Sequence, residues 1–317
     1  MTRQPGKVYL IGAGPGDPEL LTLRAARALG ESDWVLLDDL VDRRVLAHVR
    51  WGATIRSVGK RAGCHSVAQW KINQMLIDGA RSGRIVARLK GGDPFVYGRG
   101  GEEAEALAEA GVGWEVIPGV SAGVAAAAYA GIPVLHRARA SSVAFATGHP
   151  TRAGRPLPAD ADTLVIFMCA ATIASIARSL LLRGRAPATP VALIRAATTQ
   201  RQVVYLGALG EVARLGERDL PTPLIAVVGE VAGLAGKLHW FGSPPLPLDA
   251  AGAGSGPEPP SLEAAARCEF SELPRPKPIA DARHPLAGHR QEKRQRRALY
   301  PTTCYSSSPA AGASTTK

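Results

Sequence analysis

Residues 8–23 read VYLIGAGPGDPELLTL. Four apolar residues run into three glycines spaced G-x-G-x-G, and an amphipathic stretch follows. This is a strand, a tight loop and a helix, the unit from which a parallel sheet is wound. Such a loop invites a dinucleotide reading, and its spacing tests that reading. The dinucleotide fingerprint is G-x-G-x-x-G, with the third glycine inside the first helical turn. Here the third glycine, Gly16, comes one residue early and Asp17 follows it. Pro15 stiffens the loop and removes a backbone donor. Asp17 before Pro18 reads as an N-cap and a first helical residue. An acidic cap occupies the donors that a pyrophosphate would need. The spacing therefore disfavours a nicotinamide oxidoreductase. Asp38 and Asp39, placed where a ribose-binding acid would fall, do not decide the matter alone.

The same alternation continues outward. Short β-branched runs at 8–11, 34–37, 55–58, 85–89 and 115–117 are predicted strands, with helices at 19–29, 67–82, 101–110 and 121–130. This pattern predicts a mostly parallel sheet covered on both faces. Ligands in such sheets sit at the carboxyl ends of the strands, where the glycine-rich loops 12–16, 91–101 and 118–123 fall. A second, smaller α/β unit is predicted from about residue 141. Its strands lie in SSVAFATGH, TLVIFMC, PVALIR, QVVYLGAL and PLIAVVGEV, with one clear helix at 171–183. Strands 190–195 and 202–207 are expected to run antiparallel. The expected organisation is an N-terminal α/β domain over 1–138, a C-terminal α/β domain over 139–242, and a disordered tail over 243–317. That tail is rich in Pro, Gly, Ala and Ser, and such a composition buries too little apolar surface to offset its ordering entropy.

The 317 residues carry a formal charge of +11, of which +8 falls on residues 1–242. Arginine predominates there, which suits bidentate recognition of carboxylates or phosphates. The tail holds the basic run HRQEKRQRR at 289–297. A solvated tail is the expectation and no nucleic-acid partner is expected. The alternative is an RNA-binding protein whose salt-sensitive binding is lost with residues 243–317. The four cysteines, Cys64, Cys169, Cys268 and Cys304, form no C-x-x-C pair and suggest neither a disulfide framework nor a zinc site. Cys64, His65 and His149 bring too few ligands together for a metal. The stretch 116–135 is interrupted by Pro118 and Pro133 and reads as a buried small-residue helix, so no membrane span is expected. The first residues lack a signal-peptide pattern, and a cytoplasmic location is expected.

Residues 7–232 resemble the uroporphyrinogen-III C-methyltransferases of the tetrapyrrole methylase class. The resemblance is carried, in order, by VYLIGAGPGDPELLTLRA, LDDLV, VGKRAGCHSVAQWKIN, ARLKGGDPFVYGRGGEEAEAL, VIPGVSAGVAAAAYAGIPVLHR, TGH, TLVIFM and IAVVGEV. It implies two α/β domains with the active site in the cleft between them, usually as a homodimer. It also implies S-adenosylmethionine as methyl donor and uroporphyrinogen III as acceptor, methylated at two carbons to precorrin-2 for sirohaem or cobalamin. A methylase of a later precorrin is the alternative, which the GKRAGCHS and GRGG loops argue against. Larger relatives carry an NAD-dependent domain before the methylase, and this chain is expected to lack it.

Methyl transfer to an electron-rich pyrrole carbon depends chiefly on positioning, and a carboxylate and a basic group are expected to move protons. The resemblance assigns Asp38 as proton acceptor and Lys60 as proton donor, with a carboxylate anchor as the rival role for Lys60. For the donor it implies Pro15, Gly91, Gly92, Asp93, Val96, Ser121, Ala122, Met168 and Ala197. The substrate's carboxylates are expected to meet Arg61, Arg99 and Arg137. Three positions depart from the family pattern. Leu37 replaces a usual Tyr, while Cys169 and Ala197 stand where Gly is usual and are expected to add bulk beside the donor. Gly12, Gly14 and Gly16 are read as clearance for the donor and a flat macrocycle.

Overall fold

The protein is described by a computed structural model over residues 6–59, 67–149, 157–215 and 220–252. Its first sheet contains β1 (Lys7–Gly12), β2 (Trp34–Leu37), β3 (Thr54–Ser57), β4 (Ile85–Lys90) and β5 (Gly113–Ile117), in the order β3-β2-β4-β1-β5. Every pair is parallel, with Val8 beside Val86 on one side and Trp114 on the other. Alternate side chains of β1 point to opposite faces, as the pleat requires. Tyr9 and Ile11 pack with Ala25, Ala28 and Leu29 of α1 (Leu23–Glu31). Val8 and Leu10 pack on the other face with Ile72 and Leu76 of α2 (Gln69–Arg81) and with Ala104 and Leu107 of α3 (Gly100–Glu109). The parallel, doubly covered sheet expected from the sequence is therefore present.

The second sheet contains β6 (Val143–Thr147), β7 (Thr163–Phe167), β8 (Pro190–Arg195), β9 (Val203–Ala208), β10 (Leu224–Val228) and β11 (Leu246–Pro247). Its order is β11-β9-β8-β10-β7-β6. The outer pairs are parallel and the inner ones antiparallel, including β8 with β9 as expected. Leu164 and Ile166 pack on one face with Ile173, Ala177 and Leu180 of α5 (Ile173–Leu182). Val165 and Phe167 pack on the other with Ala126 and Ala127 of α4 (Ala122–Tyr129). Both sheets belong to one compact unit.

Three expectations need correction. Helix α1 begins at Leu23, not at 19. Asp17 and Pro18 instead start a 3-10 turn over Pro18–Leu20, and the Thr22 side chain accepts the Ala25 amide to cap the α-helix. Helix α4, read as part of the N-terminal domain, packs on the second sheet. Its Gly and Ala residues let it lie close against β7 and β10, and an added Cβ on Gly123 would stand 2.7 Å from the Phe167 ring. The tail does not lose structure at 243, because β11 extends the second sheet and Leu248 and Ala251 are buried in its core. The basic run at 289–297, Lys60, Arg61, Cys64 and His65 lie outside the described residues. Among the described residues no helix is long and apolar enough to cross a membrane.

Candidate active site

Left-handed backbone is costly for residues with a Cβ, about 1–3 kcal/mol each, and clusters where function over-determines the chain. Among the described residues the non-glycine cases are Tyr97, Arg99, Met168, Ala196 and Thr198. All lie in loops beyond the carboxyl ends of β4, β7 and β8. The loops after β4 and β8 each meet the first glycine loop.

Gly14 and Gly92 exchange both backbone hydrogen bonds, at 3.2 and 2.7 Å, and so join the loop of Pro15 to that of residues 91–93. The missing Cβ of Gly12 would stand 2.5 Å from the Gly119 amide, and that of Gly16 would be 2.9 Å from Thr198 Oγ1. The clearance at Gly12 and Gly16 is thus taken up by neighbouring protein loops, where the sequence reading assigned it to ligands. Asp93 accepts the Phe95 amide on Oδ1 at 2.8 Å and the Gly119 amide on Oδ2 at 3.0 Å. It therefore ties its loop to the one leading into Ser121, whose hydroxyl caps α4.

Val96 and Ala197 from two loops and Ala122 from the first turn of α4 all pack on the cluster that holds Phe167, Ile194 and Ile225. Met168 follows Phe167 with its thioether substantially exposed. The next residue, Cys169, is turned away and fully buried with Leu164, Ile173 and Leu224. Burial pushes its thiol up to about 12. Cys169 therefore adds no side-chain bulk beside Met168, contrary to the expectation. Leu37 is likewise buried in the first core, among Ile11, Val35 and Leu89.

Asp38 follows β2, and its amide donates to the Leu89 carbonyl at 3.1 Å, which sets it beside the end of β4. Its carboxylate, 35% exposed, lies 3.4 Å from Arg88 Nη2. The adjoining Leu40 touches the 91–93 loop, since a Cβ on Gly91 would stand 3.1 Å from the Leu40 Cβ. Behind Asp38 is a buried charge cluster. Glu103 of α3 accepts from Arg88 Nε and from Lys90 Nζ, each at 3.0 Å, and from Gln69 Nε2 at 3.1 Å. Arg88, Lys90 and Glu103 are all at least 97% buried. Burial pushes the Lys90 ammonium below the usual lysine value, Arg88 adds to the shift, and Glu103 opposes it. A half-exposed carboxylate backed by a buried guanidinium is suited to accept a proton from a molecule lying over the sheet end.

Arg99 caps α3 and pairs with Glu102 at 2.6 Å, an interaction that raises its basicity. Arg137 is exposed in the turn closed by the His136–Ala140 bridge. The His149 amide donates to Thr147 Oγ1 in a turn. Among the described residues no group of three or more His, Cys, Asp or Glu is placed to hold a metal. The sequence reading missed Arg88, Lys90 and Glu103. The available signal was two cations two residues apart on one face of an otherwise apolar strand, ARLKGG.

The family model described as Tetrapyrrole (Corrin/Porphyrin) Methylases matches residues 7–213. A siroheme synthase from Psychromonas ingrahamii is 48% identical over 252 residues, which is 77% of this chain and 53% of that protein. The chain spans about half the length of the curated relatives it matches. Among solved structures, a uroporphyrin-III-C-methyltransferase from Thermus thermophilus is 45% identical, with a TM-score of 0.64 over 73% of this chain and 98% of that one. A structure of the Thermus thermophilus enzyme complexed with S-adenyl homocysteine gives a TM-score of 0.62 at 41% identity, over 71% of this chain and 92% of that one.

Proposed function

The chain belongs to the tetrapyrrole (corrin/porphyrin) methylases, and from that premise we propose that it methylates two carbons of uroporphyrinogen III with S-adenosylmethionine, giving precorrin-2. The observation that carries this reading is the packing of Val96, Ala122 and Ala197 on one cluster beside Met168, with Pro15 joined to them through the Gly14–Gly92 bridge. These residues fit the donor. An exposed thioether and three small apolar side chains suit an adenosyl group, and no charged side chain among them opposes a sulfonium.

When bound, S-adenosylmethionine supplies an electrophilic methyl group. The 91–93 loop and α4 hold the donor's position, and catalysis lies chiefly in that alignment. As the C–CH3 bond forms and the S–CH3 bond breaks, positive charge passes to the macrocycle, which must release a proton. Asp38 accepts it, and Arg88, 3.4 Å away, orients the carboxylate beforehand. Lys60 returns a proton or anchors a carboxylate. Arg61, Arg99 and Arg137 bind the acidic side chains of the substrate, with Arg99 exchanging Glu102 for a substrate carboxylate. The lobes built on the first and the second sheet act as the two walls of the site, in a cytoplasmic homodimer.

The test is release of S-adenosylhomocysteine from S-adenosylmethionine under anaerobic conditions. Release that depends on added uroporphyrinogen III is expected. Donor binding without such release would overturn the assigned acceptor.

A further inference from the structure

We propose that Gln202 is a positioning residue for the methyl donor. Its buried amide closes a ring of hydrogen bonds that clamps the Pro15 loop of the first sheet against the Ala197 turn of the second. The proposal rests on the donor reading above and adds residues to which that reading gives no role.

The ring has four members from three segments of chain, the Asp17 loop, the end of α4 and the turn between β8 and β9. Gln202, just before β9, donates from Nε2 to the Tyr129 carbonyl at 3.1 Å and accepts the Thr198 amide on Oε1 at 2.8 Å. Thr198 Oγ1 accepts the Asp17 amide at 3.0 Å. Asp17 Oδ2 accepts the Tyr129 hydroxyl at 2.9 Å, which completes the circuit. Thr198 is 2% exposed and Gln202 7%, so water does not readily replace these partners. Asp17 Oδ1 is also engaged, accepting the Glu19 amide at 2.9 Å. Burial and the bond to Asp17 hold the Tyr129 hydroxyl above the usual phenol value, so it remains a donor.

Each member has a reason to need the others. Tyr129 ends α4, and the last carbonyls of a helix have no partner inside it; Gln202 supplies one. The Tyr129 ring is fixed between Trp240 and Phe241, at centroid distances of 5.0 and 4.8 Å. Thr198 is β-branched yet has φ +63°, a conformation that persists only when its surroundings impose it. The ring holds it at both its amide and its hydroxyl. Gly16 presses against the same turn, with 3.1 Å between its absent Cβ and the Ala197 carbonyl oxygen.

The ring's reach gives it a role beyond stability. Asp17 is two residues from Pro15, Thr198 adjoins Ala197, and Tyr129 ends the helix that Ser121 and Ala122 begin. One buried amide therefore governs donor contacts that are far apart in sequence. The Asp38 end of the site lies on β2 and β4 and shares no residue with the ring. Loosening the ring should weaken the donor and leave the tetrapyrrole side unchanged.

The experiment measures S-adenosylhomocysteine binding by calorimetry to the full-length protein, together with steady-state KM values for both substrates. Gln202→Leu removes both amide bonds, and Tyr129→Phe opens the ring on the other side while leaving Gln202 in place. Each variant should raise the Kd for S-adenosylhomocysteine on the order of tenfold, the scale of about 1.4 kcal/mol. Each should leave the uroporphyrinogen III KM within about twofold, because substitutions at sites that share no partner act independently. A ring broken once gains little from a second break, so the double variant should be no weaker than the poorer single by more than about twofold. If Gln202→Leu does not fold, Tyr129→Phe carries the test alone. Folded variants that bind S-adenosylhomocysteine as tightly as wild type, or that raise both KM values equally, would overturn the proposal. A wild-type protein that binds no S-adenosylhomocysteine would instead overturn the donor reading, and the proposal with it.

Discussion

Asp38 is oriented by the Leu89 carbonyl that accepts its amide, the Asp39 amide that donates to Oδ1 and the Arg88 guanidinium beside Oδ2. Asparagine has the same shape but cannot accept the proton. Asp38→Asn should therefore lower kcat by about 10²–10⁴-fold with the Kd for S-adenosylhomocysteine unchanged, measured by single-turnover kinetics and calorimetry. A parallel loss of donor binding would assign Asp38 to the donor site instead. Glu103 is the counter-charge for both Arg88 and Lys90 in a fully buried setting. Removing one partner from such a group leaves unpaired charge in low dielectric. Glu103→Gln should cost about 3–5 kcal/mol of folding stability, read from urea denaturation. A loss below about 1 kcal/mol, the scale of an exposed pair, would show that the cluster is solvated in solution.

At the scale of elements, the start of the second sheet is pinned by one acid. Asp162 Oδ2 accepts the amides and hydroxyls of Ser141 and Ser142, at 2.8 to 3.0 Å, which aligns the entrance to β6 with β7. Those bonds lower the Asp162 carboxyl from 3.8 to about 2. The folded value is below the unfolded one, so the unfolded chain binds more protons between them. The resulting stability is fully present above pH 3.8 and is lost as pH falls through about 2. Asp162→Asn should therefore be less stable at neutral pH and should show a shallower loss between pH 4 and pH 2. Acid titrations of both proteins followed by circular dichroism check this, and coincident acid limbs would contradict it.

Strands β1 to β5 were legible because each is a short β-branched run bounded by glycine or a polar turn. The antiparallel β8–β9 pair was marked by its short polar turn. The start of α1 was misread because Asp17-Pro18 and Thr22 are both valid caps, and Asp17 is held in the 3-10 turn by its amide's bond to Thr198 and the Tyr129 hydroxyl's bond to its carboxylate, which the sequence does not show. The home of α4 was hidden because a helix built mostly of Gly and Ala has no apolar stripe to say which sheet it faces. Strand β11 escaped because two residues in a Pro-rich stretch carry no period. At the site, the glycine loops and Asp38 stood out by motif. Glu103 and Gln202 did not, since Arg88, Lys90 and Gln69 reach Glu103, and Tyr129 reaches Gln202, only in the fold.

On the scale of the whole molecule, the loops beyond β1, β4 and β8, the end of β7 and the start of α4 are connected by bonds and packing, with Asp38 at the first-sheet end. The proposed donor contacts and the proposed proton acceptor are thus linked by bonds and packing, and the account predicts that they act on one macrocycle. The most direct test is the mass of the tetrapyrrole recovered after anaerobic incubation of the protein with uroporphyrinogen III and excess S-adenosylmethionine. The predicted result is a product carrying two added methyl groups, formed at a rate reduced by about 10²–10⁴-fold in Asp38→Asn. An unmethylated macrocycle recovered from wild-type protein that binds S-adenosylhomocysteine would contradict the account.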